Sequence, residues 1–327
     1  MNRSIKVFAP ATVANVVCGY DVLGFAVNTP GDEVIMRLTD KPGIIIKKIT
    51  GDHGQLPTDA TKNTVSASVQ HYLNHIGKPE QGVEIELFKK MPIGSGLGSS
   101  SASTVAGLFA INTLFDNLLN SRELIPFAMK GEELACGSGH ADNVAPAILG
   151  GFVLIRSYDP LDIIQLPYPD HLHCAIIFPH VEVHTRDARQ MIRNKILLKD
   201  AVTQWGNIAG LVSGLLMKDI DLIGRSMQDI LIEPTRAILI PDFYVMRQIA
   251  MENGALSFGI SGSGPSVFAF TSGQETAERI STKIKQHLHS LNIESNVYQS
   301  PINANGPKID GKFQDCMLSE SGWTKNF

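Results

Sequence analysis

This chain lacks three features: a large excess of positive or negative charge, cysteines spaced for pairing, and long apolar runs. The 28 lysines and arginines stand against 32 aspartates and glutamates, so no basic surface for nucleic acid is indicated. The four cysteines lack the spacing of a zinc site or a disulfide framework, and they are Cys18, Cys136, Cys174 and Cys316. No apolar run approaches the length of a membrane span. The start of the chain enters a strand-like segment with no secretory signal. We therefore expect a cytoplasmic enzyme without nucleic-acid or membrane partners, and whether it forms a homodimer is left open.

The pattern of apolar residues predicts strands separated by helices over a length of 327 residues, enough for two lobes. Strands that come in pairs between helices favour an α+β fold with antiparallel or mixed pairing. We expect strands near 5–8, 34–38, 44–49, 83–87, 152–155, 173–178, 256–260, 267–270 and 295–298, and helices near 64–76, 100–115, 121–135, 195–217, 243–252 and 274–291. A turn is expected at 28–32, and the proline-containing passage 158–171 is the expected seam between lobes.

The most informative segment is 92–104, where Gly94, Gly96 and Gly98 alternate with other residues and a serine cluster follows. Glycines let backbone N–H groups close on an anion, and serines can cap a helix whose positive dipole end faces that anion. A strand is expected before this segment and a helix after it. The arrangement predicts a phosphate-binding loop.

Two common phosphate loops do not fit these residues. A Walker loop requires a lysine after the glycines, and none is present. The dinucleotide fingerprint would place its last glycine at Ser99 or Ser101. A flexible glycine-serine connection without a ligand is the plain alternative, and the ordered elements on both sides argue against it.

Polar side chains also interrupt two apolar stretches. Asn15 and Asp21 do so near the start of the chain, where buried polar groups need partners. Glu132 precedes a cluster with His140, Asp142 and Asn143, in which oxygen ligands dominate and favour Mg²⁺ over Zn²⁺. The plain alternatives are a backbone hydrogen bond for Asn15 and a turn cap for Asp21. For His140 the alternative to direct catalysis is a capping or supporting role.

Arginines in two further clusters suggest an acidic small molecule. Arg186 and Arg189 follow Thr185, and Arg236 lies in a later cluster, and guanidinium groups bind carboxylates and phosphates bidentately. Surface salt bridges are the plain alternative for any one of them. A second glycine-rich turn at 259–266 is either part of a site or a tight bend between strands.

Taken in this order, the motifs resemble those of the galactose, homoserine, mevalonate and phosphomevalonate (GHMP) kinases, over nearly the whole chain. The phosphate loop Pro-x-x-x-Gly-Leu-Gly-Ser-Ser is matched at 92–100 and the late glycine motif at 261–266. The resemblance implies a two-lobed α+β GHMP-kinase fold with its active-site cleft between the lobes. It further implies an ATP-binding N-terminal lobe at 1–158, similar to domain 2 of ribosomal protein S5, and a ferredoxin-like C-terminal lobe at 159–327.

Within the family, the details resemble the homoserine branch. Pro-Ala-Thr-x-Ala-Asn is matched at 10–15, Gly-Phe-Asp by Gly19-Tyr20-Asp21, and His-Ala-Asp-Asn-Val-Ala-Pro at 140–146. Val17 and Cys18 replace a usual Gly-Pro. The resemblance implies transfer of the ATP γ-phosphate to the side-chain hydroxyl of L-homoserine, giving O-phospho-L-homoserine and ADP in threonine biosynthesis.

The resemblance also implies roles for individual residues. ATP would be bound by Asn63 and by the loop residues Pro92, Ile93, Gly94, Ser95, Gly96, Leu97, Gly98, Ser99, Ser100, Ser101 and Ala102. Mg²⁺ would be held by Ser100 and Glu132. The substrate would be bound by Asn15, Asp21, His140, Asn143, Thr185, Arg189 and Arg236, with Asn15, His140 and Asn143 as the catalytic group. With Asn143 where other branches carry an aspartate base, catalysis would rest on positioning and charge neutralisation.

Two alternatives stay open at this point. One is a kinase of the same family acting on another alcohol, such as mevalonate or a sugar. The other is a catalytically silent ligand sensor on the same scaffold. Asp21 with Arg189 and Arg236 favours an amino-acid acceptor, and an intact Ser100 and Glu132 argue against a sensor.

Overall fold

In a computed structural model of the chain, the residues described are 3–137, 139–183, 185–193 and 195–314. They form eleven strands: β1 (Arg3–Ala14), β2 (Leu23–Thr39), β3 (Ile44–Thr50), β4 (Gly82–Phe88), β5 (Phe152–Tyr158), β6 (Leu161–Leu166), β7 (His173–Pro179), β8 (Ser257–Ile260), β9 (Val267–Thr271), β10 (Ser295–Pro301) and β11 (Lys308–Gln314). The same residues form ten α-helices: α1 (Thr64–His75), α2 (Ser99–Leu114), α3 (Ser121–Cys136), α4 (Ala141–Leu149), α5 (Thr185–Gln190), α6 (Leu198–Met217), α7 (Ile220–Ser226), α8 (Glu233–Arg236), α9 (Phe243–Glu252) and α10 (Gln274–Ser290).

The two longest strands, β1 and β2, extend well beyond their predicted bounds. The turn expected at 28–32 is wrong, because these residues lie inside β2. Thr12 pairs with Ala26 whereas Pro10 pairs with Gly31, so β2 carries extra residues at an irregularity in the ladder. A Pro-Gly pair marks a turn by composition, but such residues are also tolerated at a bulge, where a proline loses no ladder hydrogen bond.

The first sheet has seven strands, with the order β11-β1-β2-β4-β3 and with β5 and β6 joined to it through β2. Helix α1 connects β3 to β4, the parallel pair of this sheet. Helix α2 packs on β1 and β2, and α4 packs on β1, β2 and β5. These contacts place α2 and α4 over the same two strands, β1 and β2.

The second sheet has four antiparallel strands in the order β10-β7-β9-β8. Helices α9 and α10 pack against it through Phe243, Met246, Ile280 and Ile284, which are all buried. The mixed pairing and the helix content agree with the predicted α+β class.

The boundary predicted at 158/159 does not follow the sheets. β6 pairs with β5 and β11 pairs with β1, so two segments of the second half of the chain complete the first sheet. The passage expected to be a seam therefore contains a paired strand. Backbone groups of an edge strand find partners by adding to a neighbouring sheet, whatever the order of the chain.

Four phenylalanines join the two sheets into a shared core. Phe25 of the first sheet lies 4.9 Å from both Phe152 and Phe270, measured between ring centroids, and 5.8 Å from Phe268. All four side chains are fully buried. Aromatic packing of this kind contributes beyond its apolar area, so the two sheets are held as one body at this point.

No helix among residues 3–137, 139–183, 185–193 and 195–314 has the length and apolar character needed to cross a membrane.

Candidate active site

A cavity of about 870 Å³ lies where the start of α2, the start of α4 and the second glycine turn meet. Its lining includes most of the residues predicted for the site: Asn15, Asp21, Asn63, Ile93, Gly94, Ser95, Gly96, Gly98, Ser99, Ser100, Ser101, Glu132, His140, Asn143, Arg189 and Arg236. These residues come from segments more than 200 positions apart in the chain. The fold therefore gathers the predicted phosphate loop, acidic residue, amides and arginines around one space.

Four predicted residues stand apart from this lining. Leu97 and Ala102 are fully buried in the core, so only their backbone can face a ligand. Pro92 precedes the part of the loop that lines the cavity. The side chain of Thr185 lies outside the described part of the chain, although its backbone begins α5.

The phosphate loop has three glycines in left-handed conformations. The φ angles of Gly94, Gly96 and Gly98 are 69°, 79° and 64°, which side chains rarely adopt. Helix α2 begins at Ser99 with Gly98 as its N-cap, and no side chain caps it. The serines therefore do not cap the helix as expected. Its first N–H groups are left for an anion, with the helix dipole favouring negative charge.

The second glycine turn supports the first one. The Ser261 hydroxyl donates to the Gly96 carbonyl at 2.7 Å, and Ser266 N–H donates to the Ser95 carbonyl at 3.2 Å. A Cβ atom on Gly96 would stand 2.5 Å from the Ser261 carbonyl oxygen. The late glycine motif thus approaches the phosphate loop so closely that position 96 admits only glycine.

A buried ion pair is hydrogen-bonded to the first turns of α2. The Lys89 ammonium pairs with the Asp32 carboxylate and donates to the Ser99 carbonyl at 2.9 Å and to the Ser103 hydroxyl at 2.7 Å. Asp32 also accepts from the N–H of Lys90 at 2.9 Å. Both charges are buried, and each has several partners, as a buried charge requires. The network fixes both the entry to the phosphate loop and the first turn of α2.

Glu132 and Ser100 lie where a divalent cation could be bound. Glu132 is buried on α3, and burial raises the pKa of its carboxyl, opposed in smaller measure by the nearby hydroxyls of Ser100 and Ser101. Those hydroxyls lie outside hydrogen-bonding geometry: Glu132 Oε1, Ser100 Oγ and Ser101 Oγ are each buried without a hydrogen-bond partner. Orphaned oxygen atoms of this kind need an explanation, and oxygen donors are those that Mg²⁺ prefers.

These residues fit a cation shared with a phosphate group better than an all-protein metal cage. Within the described ranges, no three histidine, cysteine, aspartate or glutamate side chains are close enough to hold a metal by themselves. Mg²⁺ commonly takes one or two protein ligands and completes its shell with water and substrate phosphates.

The opposite end of the cavity carries charges of both signs. Asp21 and Arg189 form a bidentate ion pair, with both N···O distances at 3.1 Å. Burial alone would lower the pKa of the Arg189 guanidinium, but its bonds to Asp21 raise it. Arg236 is buried and donates to the carbonyl of Gly262 at 3.1 Å, and burial lowers its pKa. Tyr20 lies between the two arginines, with its ring centroid 5.7 Å from Arg189 and 5.1 Å from Arg236.

The loop at 15–22 is held in a strained conformation. Asn15, Val16, Val17 and Asp21 all have positive φ, between 41° and 73°. For a β-branched residue such as Val17 this conformation is a genuine outlier and costs about 1–3 kcal/mol. Asn15 holds the loop by donating to the Gly262 carbonyl at 2.8 Å and accepting from the Asp21 N–H at 3.0 Å. Strain of this kind persists only when the surrounding contacts over-determine it.

Asn143 on α4 has one side of its amide engaged. The Thr12 hydroxyl donates to its Oδ1 at 2.7 Å, which leaves Nδ2 as the group that can donate to a ligand. A Cβ atom on Gly98 would lie 2.8 Å from the same Oδ1. The phosphate loop and Asn143 are therefore in direct contact.

His140 and Asp142 both line the cavity, and burial shifts both toward the neutral form. Burial lowers the pKa of His140, with the Asp21 carboxylate partly opposing the shift. Burial, followed by repulsion from Asp21, raises the pKa of the Asp142 carboxyl to about 7. Asp142 therefore lies in a buried position at the cavity wall, next to the charges of the site.

Apolar residues form another part of the cavity wall. Leu56, Pro57 and Leu87 line it together with Lys62 and Asn63. Asn63 caps α1, accepting from Val65 N–H at 3.0 Å and donating to the Pro57 carbonyl at 3.0 Å. Its side chain therefore shapes this wall rather than projecting unpaired donors from it.

Sequence reasoning gave no role to two charged lining residues, Lys62 and Lys89, and quoted Tyr20 only as part of a motif. Lys89 lies just after the strand predicted at 83–87, and its one local signal was this position before the phosphate loop. Asp32 lay in the expected turn at 28–32, so its pairing with Lys89 across 57 positions had no local signature.

Two family models and a curated relative match the sequence. The family model described as GHMP kinases N terminal domain matches residues 63–151, and the model described as GHMP kinases C terminal matches residues 211–290. A homoserine kinase of Chlorobium phaeobacteroides is 47% identical over 318 residues, covering 94% of this chain and 99% of that protein.

Two solved structures resemble this one, the first at high and the second at low sequence identity. The crystal structure of homoserine kinase from Cytophaga hutchinsonii has a TM-score of 0.92 and 60% sequence identity, covering 94% of this chain and 97% of that one. Mevalonate kinase of L. major, in complex with R-mevalonate, has a TM-score of 0.68 at 14% identity, covering 91% of this chain and 96% of that one. The second likeness concerns the fold alone.

Proposed function

This chain belongs to the GHMP kinase family and, within it, to the homoserine kinases, and we propose that it phosphorylates the side-chain hydroxyl of L-homoserine with ATP. One observation carries the proposal: a phosphate loop and a pair of opposite charges, Asp21 and Arg189, line the same cavity. An acceptor with both an ammonium and a carboxylate group needs such a pair, whereas a sugar or mevalonate does not.

The nucleotide is assigned to the end of the cavity formed by the phosphate loop. Backbone N–H groups of residues 94–101 bind the phosphates, and the uncapped first turn of α2 adds its dipole. The apolar wall at Leu56, Pro57 and Leu87 suits the flat face of adenine. Lys89 stays paired with Asp32, so its role is to hold the loop rather than to bind phosphate as a lone charge.

Mg²⁺ is assigned to Ser100 and Glu132, whose buried oxygen atoms have no partner in the protein. A cation held by these two residues would supply positive charge to offset the negative charge that develops on the phosphates during transfer. Burial raises the pKa of Glu132 by more than the nearby hydroxyls and Lys89 lower it. A cation bound there would favour the ionised carboxylate.

The acceptor is assigned to the charged end. Its ammonium group binds Asp21, and its carboxylate binds Arg189 and Arg236. Asp21 and Arg189 bind each other in the structure, so the acceptor divides this ion pair and takes one partner for each of its charges. The rigid guanidinium of Arg236, anchored on Gly262 and stacked on Tyr20, is already oriented for bidentate binding.

Transfer then depends on orientation. The hydroxyl oxygen of the acceptor attacks the γ-phosphorus, the bond to the β–γ bridging oxygen breaks, and ADP leaves. Asn143 donates through Nδ2 to orient the hydroxyl but cannot take its proton, and Asn15 and His140 complete the positioning. In a loose transition state the hydroxyl loses its proton late, to an oxygen of the phosphoryl group being transferred, so a residue acting as a base is not required.

A coupled ADP-release assay tests the proposal with homoserine, mevalonate, galactose and shikimate as acceptors. Homoserine is expected to give kcat/KM at least about 1,000-fold above the others, because a buried charge left unpaired by the wrong acceptor costs several kcal/mol. Turnover of mevalonate or galactose in preference to homoserine would refute the substrate assignment. ATP binding without turnover of any of the four would favour a ligand sensor. The homodimer and the cytoplasmic location stay predictions.

A further inference from the structure

Tyr158 is the last residue of β5, and its hydroxyl connects two parts of the acceptor end. The hydroxyl donates to the backbone carbonyl of Asp21 at 2.9 Å and accepts from the N–H of Ala141 at 3.3 Å. Tyr158 does not itself belong to the residues lining the cavity. Any effect of this hydroxyl on the acceptor must therefore pass through other residues.

The first of those residues is Asp21, whose peptide groups are held on both sides. Its N–H donates to Asn15 Oδ1 at 3.0 Å, and its carbonyl accepts from Tyr158. The φ angle of Asp21 is 59°, a conformation that a residue other than glycine keeps only under external constraint. Because the direction of a short carboxylate follows its backbone, these two bonds aim Asp21 at the ammonium position.

The second connection runs to the start of α4. Ala141 is the first residue of that helix, between His140 and Asn143, and its N–H has no partner within the helix. The Tyr158 hydroxyl supplies that partner, and its ring lies edge to face with His140 at 6.4 Å between centroids. One hydroxyl thus sets the distance between Asp21 and the residues that orient the reacting oxygen.

We propose that Tyr158 is a positioning residue that determines the affinity and selectivity for an acceptor carrying an ammonium group. The inference rests on the proposed function, since it concerns how Asp21 meets homoserine. A purely structural role for Tyr158 would lower stability without separating acceptor binding from nucleotide binding.

The test is Tyr158→Phe, which keeps the ring and removes only the hydroxyl, with Tyr168→Phe as the matched control. The ring centroid of Tyr168 lies 5.6 Å from that of Phe152, a residue of the same strand as Tyr158. Tyr168 is not among the residues that line the cavity. In Tyr158→Phe, KM for homoserine should rise about tenfold, as expected for two lost hydrogen bonds. KM for ATP should stay within about twofold, because the two hydrogen bonds of the Tyr158 hydroxyl go to Asp21 and Ala141 and not directly to the phosphate loop. Tyr168→Phe should leave both KM values unchanged.

Combination with Asp21→Asn separates positioning from general destabilisation. If Tyr158 acts through the Asp21 carboxylate, Tyr158→Phe should have little further effect on kcat/KM for homoserine in the Asp21→Asn background. An additive effect there, an equal rise in both KM values, or a homoserine KM within about twofold of wild type would each overturn the inference. A wild-type enzyme that does not phosphorylate homoserine would overturn the proposed function first, whereas an active wild type with an unaltered Tyr158→Phe variant would overturn this inference alone.

Discussion

Gly98 is the position where a single added methyl group should separate phosphate binding from catalysis. Its φ angle is 64°, so Gly98→Ala places a side chain in a left-handed conformation and costs about 1–2 kcal/mol. The new Cβ atom would also lie 2.2 Å from Thr12 Oγ1 and 2.8 Å from Asn143 Oδ1, where 3.4–4 Å is an ordinary contact. These two oxygen atoms are hydrogen-bonded to each other, so they cannot move apart without losing that bond.

The displacement can be estimated from these distances. Thr12 must retreat by about 1.2 Å to restore an ordinary contact, and it is fully buried on β1. Asn143, which is only partly buried, is the easier of the two to displace. A misplacement of about 1 Å in a catalytic group lowers the rate about 100-fold, so we expect kcat of Gly98→Ala to fall by about that factor.

Two alanine variants serve as controls for backbone strain. Gly94→Ala shares the loop and the positive φ of 69°, and Gly77→Ala has a φ of 72° in the turn after α1. Neither new methyl group would meet an atom within 4 Å. In both variants the free energy of unfolding in urea should fall by about 1–2 kcal/mol, the amount expected for Gly98→Ala from backbone strain alone. Gly77→Ala should keep the wild-type kcat.

The assay is steady-state ADP release, with unfolding measured on the same preparations. The reasoning would be refuted by a folded Gly98→Ala enzyme whose kcat lies within about threefold of that of Gly77→Ala. A loss of kcat that appears equally in Gly94→Ala would instead mean that loop strain, and not the contact with Asn143, controls the rate.

Three further predictions concern charged groups in the cavity. Lys89→Met should destabilise the protein by about 3–5 kcal/mol in urea unfolding, because it leaves the buried Asp32 carboxylate unpaired; a loss below about 1 kcal/mol would contradict this. Arg236→Leu should raise KM for homoserine by about 100-fold or more at a nearly constant KM for ATP, with the exposed Arg156→Leu as control, and an equal loss of both substrates would assign Arg236 to the fold. Asp142→Asn should keep most of kcat, and a loss of three or more decades in a folded variant would identify Asp142 as a base. The raised pKa of about 7 means that the native state holds the Asp142 proton more tightly than the unfolded state, so stability should fall as pH rises from about 4 to 7, and this slope should shrink in Asp142→Asn.

Much of the fold could be predicted because its elements have local signatures. The helices at α1, α2, α9 and α10 begin and end within two residues of their predicted bounds, since their apolar residues recur at helical spacing. The failures concern strands whose partners are distant. β2 continues through a Pro-Gly pair because β1 pairs with it on both sides of the irregularity, and β6 and β11 join a sheet that their place in the chain does not indicate.

In the candidate site, too, local motifs could be predicted and contacts between distant segments could not. Motif spacing predicted the phosphate loop, the amide and acidic residues and the arginines that line the cavity, because each motif is a short run of chain whose chemistry depends on its own residues. Three relations between segments were decided only by tertiary packing: the Asp32–Lys89 ion pair beneath α2, the contact of Gly98 with Asn143, and the Tyr158 hydroxyl between Asp21 and Ala141. Such contacts join residues that no local pattern links. The pKa of a side chain such as Asp142 is likewise set by burial, and that burial exists only after both halves of the chain have folded together.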